Sequence, residues 1–163
     1  MSLETILQNL MDSSLAISIT EGEYYFPWLE ALHVLCICTV VGTITIVDLR
    51  LIGVPSHKPS VSRLIRELLP FTWIAFIFAV IFGSLLFISN AVTYAHNLQF
   101  QLKMALLVLA GINMAIFHLV TQRKMHLWDE DVATPAAAKI AGFVSLALWI
   151  SVIFLGRWVG FTI

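Results

Sequence analysis

The sequence predicts an all-α protein: an integral-membrane four-helix bundle with an additional amphipathic helix at its N-terminus. Three observations lead there. Of the 163 residues, 60% are apolar and 12% charged, and the mean hydropathy is +0.93. A soluble domain runs at about half apolar and a quarter charged, and a chain of this length could not hide so much apolar surface in a core of its own. Four stretches reach the roughly 20 apolar residues that cross a bilayer. They take up most of residues 1–163, which are therefore expected to form a single membrane domain rather than a soluble enzyme with an anchor. A net charge of -1, with no basic block, excludes nucleic acid as a partner.

Residues 2–17 read as the amphipathic helix. Leu3, Ile6, Leu7, Leu10 and Met11 recur at helical spacing, with Glu4, Gln8, Asn9 and Asp12 opposite. Glu4 stands where a signal peptide carries Lys or Arg. The polar face is acidic, whereas membrane-surface helices favour Lys and Arg. The helix is therefore expected on the protein's rim or against a neighbouring subunit, and a homo-oligomer is anticipated. The first span covers about 27–50: Pro27 suits a first helical turn, and Tyr24, Tyr25, Phe26 and Trp28 form an interfacial aromatic belt. The second covers about 62–92, with Ser60 or Ser62 as its cap and Pro70 expected to bend it. The third runs over about 98–122. A polar loop then leads to Pro135, which opens the fourth at about 135–160.

Basic residues set the orientation. Arg50, Lys58, Arg63 and Arg66 join the first span to the second, and Arg123, Lys124 and Lys139 join the third to the fourth. Only Lys103 and Arg157 lie at the other side. The positive-inside rule then places both termini outside, periplasmic for a multi-pass protein of a bacterial inner membrane.

Ionisable groups inside a membrane are costly, so each is a candidate site. His33 and Lys103 lie at similar depths near the outer side, with His96 just above them. Fifteen residues further along the same helices come Asp48 and His118, roughly 22 Å deeper at the helical rise. Two polar layers are therefore expected between the first and third spans. His33 and His118 are too far apart to clamp one iron. If haem binds, His33 is the better outer ligand, with His96 as a partner and Lys103 near the iron or a propionate. His118 would serve an inner site, oriented by Asp48 as a carboxylate–histidine pair. Each group also has a structural reading. His33 could hydrogen-bond a backbone carbonyl or Glu30, one turn earlier. Asp48 could pin helices through His118 or the neighbouring arginines, and Lys103 could snorkel outward. His57 and His126 read as solvated loop residues. Asn113 reads as an interhelical hydrogen bonder, Gly42, Gly83, Gly111 and Gly156 as close-approach positions, and Cys36, Cys38, Met104 and Met114 as packing residues.

The run Leu32-His33-Val34-Leu35, Gly42 and Asp48-Leu49-Arg50-Leu51-Ile52-Gly53 resembles an uncharacterised family of small bacterial four-helix membrane proteins. Phe100-Gln101-Leu102-Lys103-Met104, Leu107, Asn113 and His118 look like that family's third span. More distantly, His33 and Lys103 are similar to the motifs of haem-binding four-helix protoporphyrinogen oxidases, although Gln101 stands where their second-motif histidine would be. The Leu32-His33 segment also resembles copper-resistance membrane proteins of the CopD type. These likenesses imply haem b, held through His33, and one-electron transfer with a quinol or another redox protein as a small b-type cytochrome. The alternatives are a porphyrin-oxidising enzyme, an outer copper or other transition-metal site on Glu30, His33 and His96, and a cofactor-free membrane subunit.

Overall fold

A computed structural model describes residues 2–54, 60–121 and 134–162. His57 and His126 lie outside the described residues. The described chain is helical: α1 (Leu3–Met11), α2 (Ser14–Glu21), α3 (Tyr25–Ile52), α4 (Val61–Ser89), α5 (Ala91–His96), α6 (Leu98–Ile116) and α7 (Ala136–Thr162). α6 continues into a π-helical turn at Phe117–Thr121. Four of these elements are long and apolar enough to cross a membrane: α3, α4, α7 and the helix over Leu98–Val120. Their outward faces carry large apolar side chains, among them Trp28, Phe71, Phe143 and Phe154. Such surface is compatible with contact with a lipid bilayer.

The expected helix over 2–17 is two helices. Asp12 ends α1, and Ser13 caps α2 by accepting from the Ala16 N–H at 3.3 Å. A serine in extended conformation at that position satisfies an otherwise orphaned donor and restarts the chain in a new direction. Both short helices pack on the molecule itself, α1 on α4 and α5, α2 on α3 and α4. Leu7, Ala16 and Ile19 are buried there. Of the arm's apolar stripe, Leu7 is spent on its own bundle, while Leu3, Ile6 and Leu10 remain exposed.

α3 ends on Gly53, whose φ of +106° favours glycine, with the Gly53 and Val54 N–H groups returning to the Leu49 carbonyl. α4 runs unbroken through Pro70. The connection α5, not expected from the sequence, is held by Asn97. Its Oδ1 accepts from the Phe100 N–H at 2.9 Å, and its Nδ2 donates to Thr162 Oγ1 at 2.9 Å. One asparagine therefore caps α6 and ties it to the end of α7.

Among the long helices, α3 packs on α4 and α7, and α6 packs on α7. α3 and α6 do not form a comparable contact, so the polar layers expected between them are completed by α4 and α7. Thr43 and Thr72 share a 2.7 Å hydroxyl hydrogen bond between α3 and α4. Asn113 Nδ2 donates to the Ala141 carbonyl at 3.1 Å, linking α6 to α7 as expected. Asn113→Leu should cost about 0.6 kcal/mol, the average for such a bond in a membrane bundle. An SDS titration followed by helical circular dichroism measures it, and an unchanged midpoint would show the bond to be energetically idle.

Of the four glycines expected to admit close approach, Gly83 and Gly156 meet neighbours: a Cβ on Gly156 would lie 3.6 Å from Lys103 Cδ. Gly42 and Gly111 face open space. A close approach to the backbone of another helix is found instead at Gly142. A Cβ there would lie 3.0 Å from the Asp48 carbonyl oxygen and 3.2 Å from Leu51 Cβ. This glycine lets α7 press against the inner end of α3, next to a core of Leu51, Val61, Ile65, Phe117 and Ala138.

Candidate functional site

The outer layer is built on His33, half-buried on α3. Its Nδ1 lies 2.8 Å from the Ala79 carbonyl oxygen on α4. A carbonyl only accepts, so Nδ1 carries the proton and donates, and the Nε2 of the neutral ring keeps a lone pair. The ring sits in a notch opposite Gly83, where a Cβ would come within 2.8 Å of His33 Cε1. Of the two structural partners considered for His33, the backbone carbonyl is the one found. Lys103, half-buried on α6, is close enough to act electrostatically on His33. Its Nζ lies 4.8 Å from the centre of the Phe100 ring, a cation–π distance. Phe100 in turn stacks on Phe87 at 5.5 Å and meets Tyr94 at 5.6 Å. The outer layer thus joins one imidazole, one ammonium and an aromatic wall.

Glu30 and His96 are both exposed. Burial, with the negative charge of Glu30 behind it, pushes the Tyr94 phenol up from its ordinary pKa. His96 ends α5. Among the described residues no three His, Cys, Asp or Glu side chains come together as a group that could hold a metal ion, so nothing in the geometry favours the site on Glu30, His33 and His96. Gln101 is exposed, and its amide donates to the Ala95 carbonyl at 2.8 Å, fastening α6 to α5.

The inner layer surrounds a cavity of about 160 Å³ to which all four long helices contribute. Asp48 and His118, expected to be level, both line it. Asp48 is only 5% exposed. Ser145 on α7 lies beside its carboxyl group, and one carboxyl oxygen, Oδ2, has no hydrogen-bond partner among the described residues. His118 stands on the π-helical turn, a local widening that recurs at functional sites. Arg63 pairs with Glu67 on its own helix at 2.8 Å, on the exposed surface.

Ser145 was not among the sequence candidates. Its signal is nonetheless present: Ala138, Gly142, Ser145, Val152 and Val159 are the buried positions of α7, and they follow a seven-residue pattern of small and β-branched residues. That stripe marks the face of α7 turned inward.

The fold and the two layers define a four-span helical membrane protein with intramembrane polar sites. Residues 11–162 match a family of unknown function (DUF6644), and the chain belongs to that family. No curated protein and no solved structure matches it. Nothing in these comparisons supports a likeness to protoporphyrinogen oxidases or to CopD-type proteins.

Proposed function

We propose that this protein binds haem b in its outer layer and acts as a small b-type cytochrome, passing single electrons between the outer side of a bacterial inner membrane and a quinol or another redox protein. The observation that carries this reading is the His33 hydrogen bond. A ligating histidine is oriented by donating its other ring N–H, commonly to a backbone carbonyl, and Nδ1 to Ala79 leaves Nε2 as the donor for iron. Lys103 would balance a propionate, and Phe87, Tyr94 and Phe100 offer aromatic surface to a porphyrin. When bound, haem would supply a one-electron couple; the chain's part is ligation, burial and tuning by the nearby ammonium.

A second reading, a cofactor-free subunit, is favoured by the same bond, since a histidine that donates to a neighbouring helix also pins two helices. The porphyrin-oxidising alternative is weakened by Gln101, which is engaged with Ala95. The orientation with both termini outside follows from the basic residues.

The test is absorption spectroscopy of protein purified from haem-replete cells in mild detergent, oxidised and then reduced with dithionite, with a pyridine haemochrome assay. The expected result is reduced b-type bands at about one haem per chain, lost in His33→Ala and kept in His118→Ala. A colourless wild-type protein, or a His33→Ala protein with its full spectrum, would overturn the reading.

A further inference from the structure

Helix α1 divides into three sectors. At about 100° per residue, Leu7 and Met11 share the side turned to the bundle, where Leu7 is buried and Met11 half-buried. Leu3, Ile6 and Leu10 fall beside them within about 60° of arc, and all three are exposed. Gln8, Asn9 and Asp12 occupy the far side. There the Gln8 amide donates to Asp12 Oδ1 at 3.3 Å on the exposed surface. The apolar stripe is continuous, but the bundle covers only one edge of it.

The place of α1 in the fold says what meets the other edge. α1 packs on α4 and on α5, the short helix that follows α4. Asn97, just after α5, holds Thr162 at the end of α7, and α2 packs on α3 and α4. α1 therefore lies at the end of the bundle where α3 begins and α7 stops. At that end Tyr24, Tyr25 and Trp28 around the start of α3, and Trp158 and Phe161 on α7, are exposed. Exposed Tyr and Trp at the ends of spans sit at headgroup level, which sets α1 at the surface of the bilayer. A second copy is the poorer occupant, since three side chains fall far short of the roughly 20–30 residues a side that a stable protein interface uses. Residues 1–24 contain no Lys or Arg. Basic residues draw a peripheral helix to anionic lipid, whereas α1 is carried to the surface by its own spans and needs only apolar contact.

We propose that α1 is a membrane-surface helix, seated on the rim of the bundle with Leu3, Ile6 and Leu10 against the acyl chains and with Gln8, Asn9 and Asp12 toward water. The contact is independent of haem, and its test reads no haem signal.

The probe is a nitroxide on single cysteines, Ile6→Cys, Leu10→Cys, Gln8→Cys and Asn9→Cys, in the full chain carrying Cys36→Ala and Cys38→Ala. The protein is reconstituted into phosphatidylcholine vesicles, and collisions with oxygen, which concentrates in lipid, are compared with collisions with a water-soluble nickel chelate. Labels at Ile6 and Leu10 are expected about 5–10 Å below the headgroup boundary, the depth of an interfacial helix, and labels at Gln8 and Asn9 above it. A second measurement uses the unaltered chain, so it does not depend on the cysteine replacements folding. A phosphatidylcholine with a diazirine on its acyl chain, activated by light in the same vesicles, is expected to mark Leu3, Ile6 or Leu10 and to spare Gln8 and Asn9. Nickel access at Ile6 and Leu10 equal to that at Gln8 and Asn9 would place the helix in water and overturn the proposal. Low collision with both reagents at Ile6 and Leu10 would put a second copy there instead, and absence of acyl-chain label from residues 3–10 would likewise overturn it.

Discussion

Leucine in place of Gly142 is expected to cost the bundle about 3 kcal/mol or more, at the upper end of what overpacking does to a well-packed interior. Its Cβ would meet the Asp48 backbone oxygen at 3.0 Å and Leu51 Cβ at 3.2 Å. A backbone oxygen in the middle of a helix cannot swing aside, so α3 and α7 must separate. The separation would also carry Ser145 away from Asp48 and open the inner cavity. Gly42→Ala and Gly111→Ala serve as controls, because a Cβ at either position meets nothing within 4 Å. They should be neutral or stabilising by up to about 1 kcal/mol, the helical gain of alanine over glycine. SDS titration monitored by circular dichroism ranks the three, and a Gly142→Leu midpoint equal to that of the controls would refute the close contact.

The second large effect is expected from Gly83→Ala, a single added methyl. The new Cβ would lie 2.8 Å from His33 Cε1 and 3.3 Å from Nδ1. The ring must turn, and turning breaks its bond to the Ala79 carbonyl. Loss of a half-buried hydrogen bond costs about 1–3 kcal/mol. On the haem reading, the variant should also lose most of its bound haem, because the tautomer and direction of Nε2 are set by that bond. Unfolding and haem content are measured on the same preparation. Lower stability with no haem in either protein would leave His33 as a helix pin. Full haem content in the variant would show that Ala79 does not orient the ligand.

How much of this could be read from the chain varies by element. The four spans were legible because roughly 20 consecutive apolar residues have few other uses, and the two polar levels followed from counting residues at the helical rise. His33 with Lys103, and Asp48 with His118, do share layers. The break at Ser13 was less legible, since the apolar periodicity of residues 3–11 continues tolerably into the next helix and hides a serine acting as a cap. The short helix α5 is six residues long, below the length at which periodicity carries information. The same holds for the π-helical turn that carries His118, which depends on a local register shift.

Composition, hydropathy and spacing by themselves determined that this is a four-span helical membrane protein and which depths its ionisable residues occupy. Those quantities are properties of one helix at a time, set by the bilayer's thickness and the rise per residue. Only the tertiary structure decided who touches whom. It put α7, and not α6, against α3, so that Ser145 lies beside Asp48; it gave His33 the carbonyl of Ala79; and it left Oδ2 of Asp48 buried with no hydrogen-bond partner among the described residues. Partner choice depends on helix rotation and on where small residues such as Gly83 and Gly142 permit close approach. In a membrane, where apolar burial hardly distinguishes one neighbour from another, that packing is what selects the arrangement.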